Sequence, residues 1–529
     1  MPASRIATRL SALICRLRRD RRGNVAIIFA FALMPVLSAI GCATDYSLAM
    51  RMKSKMQSAA DAAAVASISQ NSTGYIAATK MTSDGSVSVA QTDASNIFKG
   101  NIPTTGYTNS SLKVTPTVTK TGATLASNVT FSADVPTIFM NVAGFSKLTI
   151  SGSSSASASL PLYLDFYLML DVSESMGLPS TDAEQTRLAK INPDMFSQYP
   201  KGCTLACHFT VANSCGDSNQ KYPTNNECLG YWISRVSPTA YGTLVNETST
   251  QAGVAKKTPP SLPDSMIPGL PNSLLSGDTS SLSAVSSCPT EGSANCIQLR
   301  ADAVGYAVNQ LFITANADQK ITNQFRIGLY PFVEDLLVYF KLTNAINGDP
   351  SNSSTINYAA ANLASLLDTN NNKTLGSGGT HIDTALNTMN NTIVSVGDGS
   401  ASNDTQPYVF LVTDGAQDPQ VKGVPGGGWS GSNHATTIAK GSSSPCKPLR
   451  DRGIIVSVLY IPYEPIQNPN SSFANDEDDY ANSNIANIPA SLQDCASPGF
   501  YYTASSPSEI NDALTKMFQH ALVVAHITN

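Results

Sequence analysis

The sequence predicts an α/β protein: a mostly parallel, doubly wound sheet broken by a long insertion and preceded by a membrane helix and a small β-rich module. Three observations lead there. Apolar runs at Tyr163–Leu170, Phe325–Tyr330, Tyr408–Val412 and Gly453–Ile461 alternate with helical stretches, the rhythm of a parallel sheet covered on both faces. Val25–Thr44 is uncharged and long enough to cross a bilayer, since about 20 residues at 1.5 Å rise span about 30 Å. Between these regions, residues 71–160 show period-two alternation rich in β-branched residues.

The membrane segment comes first. Residues 1–24 carry seven Arg against one Asp, a basic stub of +6, which leaves −11 on the rest of a chain whose net charge is −5. A basic stub abutting an apolar run fits a membrane better than a nucleic acid, and no nucleic-acid partner is expected. Arg16, Arg18, Arg19, Arg21 and Arg22 precede the span, whereas Arg51, Lys53 and Lys55 follow it, so the positive-inside rule puts the N-terminus in the cytoplasm. Pro35 is tolerable in a membrane helix. A signal peptide cleaved near Gly41-Cys42-Ala43 is the rival reading, with Ala39–Cys42 as a loose lipoprotein box. Against it, the apolar run is long and continues from Tyr46 to Ser69 as a Gly- and Pro-free helical sequence.

The expected divisions are a cytoplasmic stub at 1–24, a transmembrane helix at 25–44, its continuation at 45–70, a β-rich module at 71–160 and an α/β domain at 161–529 with an insertion at 178–295. In the module, Ser86–Ala90, Leu112–Val118, Asn128–Ala133 and Leu148–Ser151 read as strands, and Ser151–Ser159 as an edge strand or a linker. In the α/β domain, Ala301–Ile313 is an amphipathic helix, with Val304, Ala307, Val308 and Leu311 on one face. Ile382–Met389 and Ser508–Phe518 read as further helices and Phe500–Thr503 as a last strand.

The chemistry concentrates at strand ends. Tyr163–Leu170 runs into Asp171-Val172-Ser173-Glu174-Ser175, a carboxylate and two hydroxyls on one turn. Gly378-Gly379-Thr380 adds a hydroxyl and Thr413-Asp414-Gly415 a second carboxylate. Hard divalent cations take such oxygens, and in open α/β sheets sites lie beyond the strand C-termini. Asp383 and Asp418 are nearby acids read as a helix N-terminal charge and a loop charge. Enzyme signatures are missing: there are five His, no Gly-x-Ser-x-Gly elbow, no phosphate loop and no His-Glu-x-x-His, so no catalytic residue is assigned.

Two resemblances follow from these residues. Arg-Arg-Gly-Asn before the apolar run, Asp45-Tyr46-Ser47 after it and Gln57–Ala63 on the helix resemble the N-terminal segment of TadE/TadG-like proteins of Flp (tight-adherence) pilus-assembly systems. Processed pilin-like relatives carry Glu five residues after the cleavage-site Gly. Here Ile28 follows Gly23 at that spacing, which fits a permanently anchored accessory protein. The downstream constellation resembles the metal-ion-dependent adhesion site of von Willebrand factor type A (vWA) domains, which have a Rossmann-like sheet. That resemblance implies a divalent cation held by Asp171, Ser173, Ser175, Thr380 and Asp414, with Mg²⁺ as the first expectation and Ca²⁺ or Mn²⁺ as alternatives. It also implies a partner carboxylate that completes the coordination, the partner being an envelope or pilus-assembly protein. Membrane lipid is a second partner, through one helix. The place expected is the bacterial inner membrane, single-pass, with the bulk in the periplasm. A surface-exposed adhesin for host or matrix ligands is the alternative.

Cysteine usage agrees with an oxidising compartment. Beyond Cys15 and Cys42 there are eight: Cys203, Cys207, Cys215, Cys228, Cys288, Cys296, Cys446 and Cys495, an even set mostly in or beside the insertion. Sequence leaves their pairing open, Cys446 with Cys495 being one candidate. Cys203-Thr-Leu-Ala-Cys207-His208 has three residues between its cysteines where haem attachment uses two; zinc is the other reading, and disulfides are preferred to both. The acidic run Asp476–Asp479 reads as a solvated loop, with a second calcium site as the sharper option.

Overall fold

A computed structural model of the chain describes residues 23–189, 234–240, 284–368, 372–424, 428–432, 434–463, 465 and 479–527. Cys203, Cys207, His208, Cys215, Cys228 and the acids Asp476–Asp478 lie outside them, and with them the haem, zinc and second-calcium readings. The chain divides into two compact units, Met1–Leu160 and Pro161–Asn529.

The first unit is organised by one long helix, α1 (Gly23–Ala66), which contains Pro35. It is long and apolar enough to cross a membrane. Its large side chains are exposed along Ile28–Ile40; further on, Ala49, Met56, Ala59, Ala60, Ala63 and Ala64 are buried. These positions recur at helical spacing, and the small Ala side chains let the helix lie close on its neighbours. It packs with α3 (Ser88–Asn101) and with a four-stranded antiparallel sheet ordered β1-β2-β3-β4. The strands are β1 (Gly85–Ser86), β2 (Lys113–Thr121), β3 (Thr124–Pro136) and β4 (Lys147–Ser159); α2 (Thr73–Thr79) precedes them. A shared core of helix alanines, Phe98, Val129, Phe131 and Ile150 joins these layers. At Gly152 an added Cβ would meet the Phe131 ring at 2.6 Å and Gln57 Oε1 at 2.4 Å, so only glycine lets the helix cross the strand there.

One sequence expectation fails in this unit. Ser86–Ala90 is not a strand: pairing stops at Ser86, and α3 starts at Ser88. The alternation Ser-Val-Ser-Val was short. The longer spacing Ala90, Ala94, Phe98, every fourth residue and all buried, selects the helix. The Ser/Ala stretch Ser151–Ser159 is paired with β3 throughout, as an edge strand rather than a linker.

The second unit is a six-stranded sheet ordered β12-β11-β8-β5-β6-β7. Its strands are β5 (Leu164–Asp171), β6 (Phe325–Phe332), β7 (Phe340–Thr343), β8 (Gln406–Thr413), β11 (Ile455–Tyr460) and β12 (Tyr501–Thr503). All pairings are parallel except β6 with β7, an edge strand that the sequence reading missed. A ribbon of β9 (Val421–Lys422) and β10 (Trp429–Ser430) stands apart. Helices cover both faces. On one, Phe518 of the closing helix (Pro507–Ile527) sits 5.2 Å from the Phe166 ring and 5.1 Å from Phe325, beside the helix Arg300–Asp318. On the other, Tyr167, Met169, Val409 and Leu411 meet Ile382, Leu386 and Met389 of the helix Ile382–Thr392, and Leu492 of Ile488–Cys495. The sequence reading assigned no helix to Ile488–Cys495.

The described ends of the insertion are tied down by charge. Arg235, buried, makes a two-pronged ion pair with Asp302 (2.9 and 2.6 Å). Asp302 also accepts from the amides of Cys288 (3.0 Å) and Leu299 (2.9 Å), so one carboxylate caps the helix Arg300–Asp318 and fixes the returning chain. Disulfides Cys288–Cys296 and Cys446–Cys495 staple the same region and the sheet's far side, with Cα separations of 6.0 and 5.1 Å.

Two stability outcomes follow. Phe98→Ala is expected to cost about 3–5 kcal/mol by opening a cavity between α1, α3 and the Phe131 ring. Denaturant melts of the full chain in detergent would show this as loss of the first unit's transition. Arg235→Ala is expected to cost about 3–5 kcal/mol by stranding the buried Asp302 carboxylate. The double change Arg235→Met with Asp302→Leu should recover much of that loss in the same melts.

Candidate metal centre at the sheet's C-terminal rim

Strand β5 delivers Asp171 to the C-terminal edge of the sheet, and its neighbour β8 delivers Thr413 and then Asp414 beside it. Leu170 is in register with Val412. The chain leaves β5 in a tight turn because Asp171 Oδ1 accepts from its own downstream backbone and side chain: Ser173 N at 3.0 Å and Ser173 Oγ at 2.6 Å. Such local bonds are what short Asp and Ser side chains favour at turns. Ser175 Oγ lies 3.1 Å from Ser173 Oγ on the following 3-10 turn, Glu174–Gly177. Across the strands, Thr413 Oγ1 donates to Asp171 Oδ2 at 2.6 Å and accepts from the Gly415 amide at 2.9 Å. Four of the five expected ligands, Asp171, Ser173, Ser175 and Asp414, thus meet at one rim.

Thr380 is brought to this end of the sheet by loop architecture. Its backbone pairs in both directions with Asp418, four residues beyond Asp414, at 3.0 Å each. The glycines before it are forced. Gly378 has φ +94, and a Cβ there would stand 2.6 Å from Lys422 N; at Gly379 one would stand 2.4 Å from Gln420 O. Asp368 ties this loop to the first: its amide donates to Val172 O at 3.0 Å, and its carboxylate accepts from Ser377 Oγ (2.6 Å) and Gly378 N (2.8 Å). The link between Thr380 and the other four therefore runs through loop backbone rather than through a hydroxyl contact. Asp383 sits in the first turn of its helix, and Asp418 is a backbone partner of Thr380 whose carboxylate accepts from Gln420 N at 3.0 Å.

Sequence reasoning missed three contributors. Thr413 was read only as part of a Thr-Asp-Gly string, yet it fixes Asp171. Asp368 carries no motif at all. Arg300, at the start of its helix, bears electrostatically on Asp414. No local pattern marks Asp368 or Arg300, because each acts across a long separation in sequence.

The electrostatics are unusual. Asp171 and Asp414 are both fully buried. Burial is the main force raising the Asp171 carboxyl above its ordinary range, opposed by the bonds from Ser173 and Thr413. Burial and then the Asp171 charge push Asp414 up to about 7, with Ser175, Arg300 and the Ala416 amide pulling the other way. The Ser175 hydroxyl and that amide lie near Asp414 without completing a hydrogen bond, since both carboxylate oxygens lack a partner. Native interiors rarely leave such acceptors bare. A divalent cation supplies what two facing buried acids lack, so the residues present fit one. Among the described residues no three His, Cys, Asp or Glu side chains gather to hold a metal by themselves, so a cation here also needs hydroxyl oxygens.

A pH dependence follows with a definite sign. Asp414 binds its proton more tightly folded, near 7, than its ordinary value of 3.8. Between those values the folded state holds more protons, so stability falls as pH rises through that window and levels off above it. Chelated protein is expected to melt several degrees lower at pH 7.5 than at pH 5. Mg²⁺ should restore the loss, and Asp414→Asn should flatten it. Thermal melts with and without chelator check all three.

Residues 23–70 match the family described as "Putative Flp pilus-assembly TadE/G-like". No curated protein matches the sequence. Among solved structures, the chain is similar to proximal thread matrix protein 1 of the mussel byssus with a zinc-occupied MIDAS motif: 17% identity over 41% of this chain and 43% of that one, TM-score 0.24. It thus spans less than half of that protein's length. It is also similar to the vWF domain of the type V pili tip protein Mfa5 from Porphyromonas gingivalis (11% identity, 43% and 89% covered, TM-score 0.26). A third is the PilB minor pilin from Streptococcus sanguinis (10% identity, 79% of each chain, TM-score 0.29). Residues 23–70 are thus similar to the TadE/G-like Flp pilus-assembly family, and the C-terminal unit is a mixed α/β fold with a mostly parallel sheet, its edge strand β7 and the Asp-x-Ser-x-Ser turn at the end of β5.

Proposed function

We propose that this chain is a non-enzymatic, membrane-anchored protein of a Flp-type pilus system that grips another envelope protein through a divalent cation. A cytoplasmic stub at 1–24 and a span at 25–44 anchor it in the bacterial inner membrane, and residues 45–160 and 161–529 stand in the periplasm. Asp171, Ser173, Ser175, Thr380 and Asp414 hold the cation, Mg²⁺ in the first instance. The observation that carries the reading is Asp414: a fully buried carboxylate with both oxygens bare, beside a second buried acid at the C-terminal ends of adjacent strands.

The chemistry supplied by such a cation is a strong, reversible attraction for a further oxygen ligand. Mg²⁺ prefers six oxygens in an octahedron and usually keeps some waters. Asp171 and Asp414 supply negative charge, Ser173, Ser175 and Thr380 neutral oxygens. A carboxylate from a partner fills a water's place. Arg300, near Asp414, moderates the negative charge of the rim when no cation is bound. The disulfides Cys288–Cys296 and Cys446–Cys495 support an oxidising compartment for the second unit.

The test is cation binding by the full chain, measured by calorimetric titration with Mg²⁺ and Mn²⁺. Asp414→Asn and Ser175→Ala are expected to weaken it at least about 100-fold and about 10-fold respectively, since even residues behind a metal's ligands shift affinity 10–100-fold. Asp171→Ala and chelation should then release the same envelope protein from the immobilised chain. Unchanged cation affinity in Asp414→Asn would refute the reading.

A further inference from the structure

The turn between β3 and β4 carries an apolar surface that the fold itself does not use. Ile138 is 68% exposed, Phe139 51%, Val142 91% and Phe145 62%, all within eight residues. Scattered exposed apolar residues are ordinary, but four large ones on one short loop call for an occupant.

Two contacts fix where this loop stands. Asp45 accepts from three successive loop amides, Ile138 at 3.2 Å, Phe139 at 2.8 Å and Met140 at 2.7 Å. Phe139 packs on Gly41, where an added Cβ would lie 2.5 Å from Phe139 Cβ. Gly41 belongs to the uncharged run Val25–Thr44, and the residues described before it on α1 are exposed from Ile28 through Ile40. The loop therefore rides on the last turn of the apolar span, where the helix first acquires a protein cover. If α1 crosses a bilayer along that run, Phe139 is at lipid depth, since Gly41 is only about 5 Å along the helix axis from Thr44. Exposed Arg51, Lys53 and Lys55 follow about 15–21 Å beyond Gly41 along the same helix, on the water side of the interface.

We propose that the β3–β4 loop is a second membrane contact, its Ile138, Phe139, Val142 and Phe145 side chains seated in the interface of the bilayer that α1 crosses. The occupant is lipid, because the patch is continuous with the span and is held at its edge by Asp45. Interfacial segments of this kind bury about 5–10 Å below the headgroup boundary. Two contacts on one rigid unit would set its orientation at the membrane, which a single helix leaves free to rotate. The inference rests on the reading of α1 as a span.

The experiment separates the two. The full chain is reconstituted into phosphatidylcholine–phosphatidylglycerol vesicles with lipids brominated in the upper acyl chain. Tryptophan quenching is read for Val142→Trp, Met34→Trp and Thr117→Trp, and the emission of the native Trp232 and Trp429 is subtracted using the parent chain. Expected are strong quenching at positions 142 and 34 and none at exposed Thr117. A quenched Met34→Trp with an unquenched Val142→Trp overturns the loop proposal and leaves the span intact. Loss of quenching at both positions removes the span and the loop proposal together. A Val142→Trp emission that is shielded from bromine and varies with protein-to-lipid ratio assigns the patch to a second copy of the chain and also overturns it.

Discussion

Two carboxylates taken out of water at the ends of neighbouring strands set the terms for the whole C-terminal unit. Each costs several kcal/mol to bury as an ion, and their mutual repulsion adds to this. Asp171 is partly compensated, with donors from Ser173 and Thr413. Asp414 has none. Packing alone does not explain such a position: an Asn or a small apolar residue would fill the space without the charge. The burial is imposed by the parallel sheet, whose strands β5 and β8 run side by side and present successive residues to the same edge. The sheet thus holds two buried acids side by side, and among the described residues only Arg300 offers Asp414 an opposing charge. That is the arrangement a hard cation stabilises, and it costs the least reorganisation at the moment of binding.

Rigidity of the surrounding loops follows from the same need. A cation with partly external ligands demands that the internal ones stay put. Asp368 links the turn after β5 to the Gly-Gly-Thr loop with three hydrogen bonds, and the absent side chains of Gly378 and Gly379 let the 418–422 segment close over that loop. None of these three residues is itself a candidate ligand. They convert three loops, well separated in sequence, into one surface.

The sheet and the Asp-x-Ser-x-Ser turn at its rim were legible because they are written locally. A buried parallel strand shows as an unbroken apolar run, and a turn built from Asp and Ser shows within five residues. Asp368 and Arg300 were illegible for the opposite reason: their roles exist only once distant segments meet. Edge strand β7 was missed because an edge, paired on one side, does not need a continuous apolar run. Ser86–Ala90 misled because a period of two over five residues is weaker evidence than a period of four over nine, and Ala90, Ala94 and Phe98 supplied the longer signal. The helix Ile488–Cys495 was not read because eight residues give a helical period only about two turns in which to show itself.

The N-terminal unit shows how one helix meets two solvents. Along Ile28–Ile40 its large side chains face outward all round, which suits hydrocarbon. From Ala49 onward the outward surface becomes polar while an alanine stripe turns to the sheet, which suits water on one side and protein on the other. The change-over falls at Gly41–Asp45, where the side chain vanishes at Gly41 and then a carboxylate captures three backbone amides. An uncapped loop at that level would leave its amides with neither water nor protein to bond, at a cost of several kcal/mol in hydrocarbon. Asp45 removes that cost for Ile138–Met140, so the loop can lie against the helix at a depth where bare backbone could not. If α1 is a span, the position of one acid at the end of an apolar run would set both how far the span extends and how closely the folded unit can approach the bilayer.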